Sequence, residues 1–321
     1  MRHLFLFLFL ACSTFASAQN LSTETFKTDS VLLIHKAPEK GFHNDYIIFI
    51  PKGMLRNKDL FLLVEPNNTG KVTDSMEVHE KHAIALASVS SVGNNISTEL
   101  KIPLLVPVFP RPASKELTYT HALDRDVMEE KTPALHRLDL QLLAMVEDAK
   151  KILASMNVPT KSKFFMSGFS ASGTFTNRFS FLHPEKIQAL AIGGFNGELI
   201  MPLKELNTTP LLYPIGIADM NALFGKEFDL QAYQNIPQYI FMGQLDDNDA
   251  VQFDDAYSET ERKIINTDIG STVQTRYIKC QEMYKANGIH PIFKTYENIG
   301  HWTTSKVNLD VIYFFMEQMK N

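Results

Sequence analysis

The sequence predicts an α/β protein built on a mostly parallel central sheet with helices on both faces. Short apolar runs bounded by turn residues alternate with longer stretches of helical spacing, as when parallel strands are joined by crossover helices. One run, Lys163-Phe164-Phe165-Met166-Ser167-Gly168-Phe169-Ser170-Ala171-Ser172-Gly173, passes directly from a buried-strand pattern into small residues around a serine. A strand-to-helix turn that sharp lifts the serine hydroxyl out of the sheet. The residues suited to chemistry also follow the ends of predicted strands, the edge where sites gather in open parallel sheets.

The elements follow in order. Met1-Arg2-His3, the apolar run from Leu4 to Ala11 and Ala16-Ser17-Ala18 form the charged, apolar and small-residue regions of a secretory signal peptide. Cleavage is expected after Ala18, leaving residues 19–321 as a single mature domain in the periplasm or outside the cell. The apolar run falls short of the ~20 residues a spanning helix needs. Cys12, after Phe9-Leu10-Ala11, offers lipoprotein anchoring as an alternative. Cleavage after Ala18 would leave Cys280 alone, excluding an intramolecular disulfide.

Residues 61–64 read as a strand that ends at Glu65-Pro66-Asn67-Asn68-Thr69-Gly70. A helix over 74–87 follows, with Asp74 as its cap. Residues 104–109 form the next strand, running into a polar loop that holds Arg111, Tyr119, His121 and Asp126. Leu138, Leu142 and Met145 recur at helical spacing in a helix over 133–156, which leads to the serine strand. Beyond Ser170 come a helix to about residue 182 and strands at 187–192, 238–243 and 292–296, with a helical stretch ending near Gly288 before the last. Residues 195–235, rich in Pro, Leu, Phe and Tyr, read as a cap-like insertion able to roof a pocket, with core packing an equal alternative.

Composition narrows the function classes. The 321 residues are 45% hydrophobic and 21% charged, an ordinary globular balance, and the net charge of −5 argues against a general nucleic-acid binder. No histidine pair has zinc-ligand spacing. His183, ahead of Pro184, and His79 and His82, on a predicted helix, read as structural.

A serine hydroxyl needs an adjacent base, and the base needs a partner that fixes its tautomer. Ser170, the acids Asp246, Asp247 and Asp249, and His301 supply these residue types in that chain order. Asp246 lies three residues past the strand-ending Gly243; Asp247 and Asp249 stay open as the acid, or as helix caps. Position 172 is serine where a G-x-S-x-G turn has glycine, with Gly173 one place later.

The segments GFSASG, GQLDDND and NIGHW together resemble the α/β-hydrolase superfamily, and within it secreted bacterial esterases and polyhydroxyalkanoate-depolymerase-like hydrolases. The likeness covers most of the mature chain, its early part by the order of elements. It implies the α/β-hydrolase fold and a secreted serine hydrolase cleaving carboxylic esters, polymeric or small, with Ser170, Asp246 and His301 as triad and no cofactor or metal. It also implies an oxyanion hole made by the N–H of Ala171 and a donor at Asn67 or Asn68, although the usual HGGG motif is missing. Arg111, Tyr119 and His121 are candidates for substrate contact, with Asp124 or Asp126 as alternative partners of Arg111. A serine peptidase of the same fold and a non-catalytic exported binding protein stay open.

Overall fold

A computed structural model describes residues 24–320. The expected signal peptide and Cys12 lie outside the described residues. Eight strands make the main sheet: β1 (Ser30–Ile34), β2 (Tyr46–Ile50), β3 (Leu63–Val64), β4 (Leu104–Pro107), β5 (Phe164–Phe169), β6 (Ile187–Gly193), β9 (Gln238–Gly243) and β10 (Ile292–Tyr296). Between β6 and β9, β7 (Glu205–Leu206) and β8 (Thr209–Pro210) form a separate small hairpin. The main sheet runs in the order β1-β2-β4-β3-β5-β6-β9-β10. Its β1–β2 and β2–β4 pairings are antiparallel, and every pairing from β4 to β10 is parallel.

Strand periodicity explains how one sheet serves two cores, since successive side chains point to opposite faces. Ile48, Val64, Leu105, Met166, Ile192 and Ile240 join one apolar cluster, while Ile47, Leu63, Val106, Phe165, Ala191 and Phe241 join the other. The first cluster takes in α4 (Leu138–Ser155), α5 (Ala171–Leu182) and α9 (Val273–Ala286). The second takes in α1 (Met76–Ser88), α2 (Val92–Leu100) and α10 (Ser305–Gln318). Short helices α3 (Arg125–Glu129), α6 (Met220–Phe224), α7 (Leu230–Gln234) and α8 (Glu259–Ile264) lie in the connections.

Two expectations need correction. Asp74 does not cap α1, whose N-cap is Ser75; its carboxylate instead accepts from Ser114 N at 3.1 Å and Ser114 Oγ at 2.7 Å, tying two loops together. The insertion 195–235 does not roof the pocket described below. Phe195, Leu199, Met201, Leu211, Tyr213 and Tyr233 are buried in the first core cluster, because apolar side chains gain more by leaving water than by lining a polar cleft.

Glu65, at the end of β3, is buried where a carboxylate is costly. It accepts from Ser91 Oγ at 2.5 Å and Gly93 N at 3.0 Å, holding the start of α2 against the sheet. Burial pushes its carboxyl up to about 7 from 4.5. Its folded pKa exceeds the unfolded one, so its contribution to stability is full below about 4.5 and lost as pH rises through about 7. Glu65→Gln should therefore flatten the pH dependence of urea unfolding across that window by roughly 1–3 kcal/mol. A variant whose profile parallels the wild type would show that Glu65 titrates normally.

Candidate active site

At the end of β5 the backbone enters Ser170 with φ 62° and ψ −132°, a left-handed conformation rare outside glycine, and α5 starts at the next residue. The turn closes because two neighbours lack side chains. A Cβ on Gly168 would sit 2.2 Å from the Ser172 carbonyl oxygen, and one on Gly173 would sit 2.7 Å from that of Gly193. Position 172 has room for serine. The Ser172 hydroxyl accepts from Phe169 N at 2.9 Å and donates to Phe169 O at 2.8 Å, bracing the turn from inside.

The loops after β9 and β10 are stitched together. Gln244 N donates to Tyr296 O at 2.9 Å and Leu245 N to Ile299 O at 2.8 Å, while a Cβ on Gly243 would lie 2.3 Å from the Gly300 carbonyl oxygen. This close approach delivers His301 to Asp246. Its Nδ1 lies 3.0 Å from both carboxylate oxygens of Asp246, which is buried. The alternatives go elsewhere: Asp247 is exposed, and Asp249 accepts from Val251 N at 3.1 Å and pairs with the fully buried Arg276 at 2.5 Å.

Ser170 and His301 line one pocket of about 630 Å³, with Ala171, Asn68 and Phe169 beside them. The His301 ring packs on Phe169 with centroids 4.9 Å apart. With Nδ1–H directed at Asp246, Nε2 carries the lone pair a general base needs, and Asn248 Nδ2 donates to it at 2.7 Å. A bond from Ser170 Oγ to Nε2 thus requires the Asn248 amide to give way. Turned by half a rotation, the same amide would offer its oxygen to the Nε2–H of an imidazolium.

No protein-family model matches the sequence, and none of the curated proteins matches it. Solved structures do match in shape. A poly(aspartic acid) hydrolase-1 from Sphingomonas sp. KT-1 superposes with a TM-score of 0.57 at 15% identity, over 91% of this chain and 98% of that one. An S-formylglutathione hydrolase from Agrobacterium tumefaciens gives 0.52 at 12% identity, over 94% and 98%. The fluorophosphonate-binding serine hydrolase F of Staphylococcus aureus gives 0.50 at 11%, over 92% and 99%. The chain has the α/β-hydrolase fold.

In an α/β-hydrolase fold the oxyanion donors are the N–H after the nucleophile and one from the loop after β3. Ala171 N opens α5, where a helix leaves its first N–H groups without intrahelical partners. The two asparagines separate. Asn68 lines the pocket, whereas the buried Asn67 side chain donates to Phe109 O at 2.9 Å and accepts from Phe109 N at 3.1 Å, bridging the β3 and β4 ends.

The three candidates for substrate contact separate too. Arg111 and Tyr119 line the pocket, the guanidinium stacked 4.1 Å over the phenol ring and paired with Asp255 at 2.5 Å rather than with Asp124 or Asp126. His121 does not line it: fully buried, it lies 2.9 Å from Phe109 O through Nε2, and burial holds its pKa down at about 3. His183, read as structural, is buried 2.9 Å from Asp139.

The sequence reading missed Asn248 and the loop that carries it, which lines the pocket with Asn248, Ala250, Phe253, Asp255, Ala256 and Tyr257; Asn196 is the one residue of 195–235 found there. Asn248 was legible only as part of the acid-bearing segment. Arg178, also in the pocket, carried the helical signal of α5 and nothing more. Among the described residues no group of three His, Cys, Asp or Glu could hold a metal ion, and no helix is long and apolar enough to cross a membrane.

Proposed function

We propose that this chain is an exported serine hydrolase that cleaves carboxylic esters through an acyl-enzyme. The observation that carries this reading is the His301–Asp246 pair, 3.0 Å to each oxygen, on the same pocket as the strained turn at Ser170. Ser170 Oγ attacks the ester carbonyl as His301 Nε2 takes its proton, and Asp246 holds the imidazole and favours its cationic form. The tetrahedral oxyanion receives the Ala171 N–H and a backbone donor at Asn68, each worth about 3 kcal/mol in such sites. His301 then protonates the leaving alcohol, and a water activated by the same nitrogen releases the acid. Like the solved serine hydrolase that binds fluorophosphonates, this chain should react with such a probe.

The test is labelling with an uncharged fluorophosphonate, followed by turnover of p-nitrophenyl esters of graded chain length and their anilide counterparts. One adduct at Ser170, absent from Ser170→Ala, is expected, with ester turnover well above anilide turnover. Labelling with anilide turnover alone would make the chain a peptidase, and folded protein that resists the probe would be a binding protein. Export follows from the amino-terminal pattern: full-length precursor should yield a mature chain starting at Gln19, and a lipid-modified chain starting at Cys12 would replace that reading.

A further inference from the structure

We infer that the pocket holds an anion-binding subsite along α5, centred on Arg178, so that the ester cleaved at Ser170 carries a carboxylate. This deepens the proposed function and rests on it. Ala171, Thr174 and Arg178 all line the pocket and recur at helical spacing, so one face of α5 runs from the nucleophile to the guanidinium. At ~1.5 Å rise per residue, Arg178 lies roughly 10 Å along the axis from Ala171. A substrate extended along that face reaches both.

Arg178 is 2% exposed, and its known bonds are to neutral groups: Nη1 donates to Ala122 O at 3.1 Å and Nη2 to Tyr257 OH at 2.8 Å. The other described arginines all have a carboxylate. Arg56 meets Glu24, Arg111 Asp255, Arg125 Asp219, Arg137 Asp139, Arg262 Asp254 and Arg276 Asp249. A guanidinium has five N–H donors and does not give up its proton, so burying one without a counter-ion costs several kcal/mol. One turn earlier, the buried Thr174 Oγ1 also has no hydrogen-bond partner among the described residues. Two buried polar groups on one helix face thus lack what an anionic ligand supplies.

Protein carboxylates near Arg178 do not fill the role. Tyr257 OH stands between the guanidinium and Glu198, donating to Glu198 Oε2 at 2.5 Å. Asp124 spends its oxygens on Tyr119 N at 2.6 Å and Val127 N at 3.0 Å. Burial raises the pKa of both acids, weakening the negative charge either can offer. Across the pocket, Arg111 is already neutralised by Asp255. Arg178 is thus the pocket arginine without a direct carboxylate partner, Glu198 and Asp124 acting on it only from a distance.

The experiment compares kcat/KM for matched ester pairs that differ only in a distal carboxylate. On the acyl side, mono-p-nitrophenyl suberate is set against its methyl-capped diester; on the alcohol side, the butyrate ester of 8-hydroxyoctanoate against its methyl ester. The wild type should prefer the anionic member of at least one pair by about tenfold or more, as a charge-assisted pair with Arg predicts, and which pair responds tells which half of the substrate lies along α5. Arg178→Met should erase the preference through KM, and Arg178→Lys should restore part of it. The wild-type comparison stands even if Arg178→Met fails to fold. Protein that reacts with an uncharged fluorophosphonate yet treats both members of both pairs alike overturns the subsite alone; protein that neither reacts nor turns over any ester overturns both readings.

Discussion

Asp246→Asn is expected to lower kcat for p-nitrophenyl esters by about 10⁴-fold with little change in KM, because an amide can donate to His301 Nδ1 and trap the wrong tautomer. The geometry makes the effect specific. Both carboxylate oxygens sit 3.0 Å from Nδ1, and Oδ1 also accepts from Asn248 N at 3.1 Å, so the fold keeps its loop while the base loses its orientation. Asp249→Asn should behave in the opposite way. Asp249 is the partner of fully buried Arg276, and leaving that charge uncompensated costs about 3–5 kcal/mol of stability. Steady-state kinetics beside urea unfolding of the two variants separates the roles. Near wild-type kcat for Asp246→Asn, or a kcat defect in well-folded Asp249→Asn, would move the acid's role to another residue.

Gly168→Ala is expected to cost ~3 kcal/mol or more in unfolding free energy and to suppress labelling of Ser170 even in the protein that still folds. The added Cβ meets Ser172 O at 2.2 Å, Ser172 C at 2.4 Å and Gly173 N at 2.7 Å, all backbone of the first turn of α5, with no flexible side chain to swing aside. Moving that turn moves the Ala171 N–H and the hydroxyl of Ser170 together. Ser172→Gly provides the contrast. It removes two hydrogen bonds to Phe169 and no volume from the pocket wall, so about 1 kcal/mol and a few-fold in labelling rate are expected. Equal stability for Gly168→Ala and wild type would mean that the turn has slack the geometry does not suggest.

These predictions draw on different levels of legibility. Strands β6, β9 and β10 are legible to within a residue, because each is a short run of strand-forming residues between turn signals and needs no distant partner to be recognised. The order of serine, acid and histidine after strand ends was readable for the same reason. The antiparallel pair β1–β2 is not legible in the sequence although Tyr46–Ile50 is wholly buried, and neither are α2 and α10. Pairing and docking are contacts across the chain, and periodicity within a window does not report them. Asp74 followed the local rule for a cap and was taken instead by Ser114, forty residues away.

Among the site residues the division is sharper. By itself the sequence determined that a serine sits in a glycine-bounded turn between strand and helix, and that an acid cluster and a histidine follow later strand ends, since these are properties of short segments. Only the tertiary structure decided which acid meets His301. Three aspartates within four positions are alike in composition, and the separation comes from the stitching of the β9 and β10 loops and the pull of Arg276 on Asp249. It likewise placed Asn68 on the pocket and Asn67 in a bridge, sent His121 and Phe195, Leu199, Met201, Leu211, Tyr213 and Tyr233 into the interior, and left Arg178 on the pocket wall without a direct carboxylate partner. Burial and partner choice depend on which residues arrive from elsewhere in the chain, and that is settled when the sheet closes over its two cores.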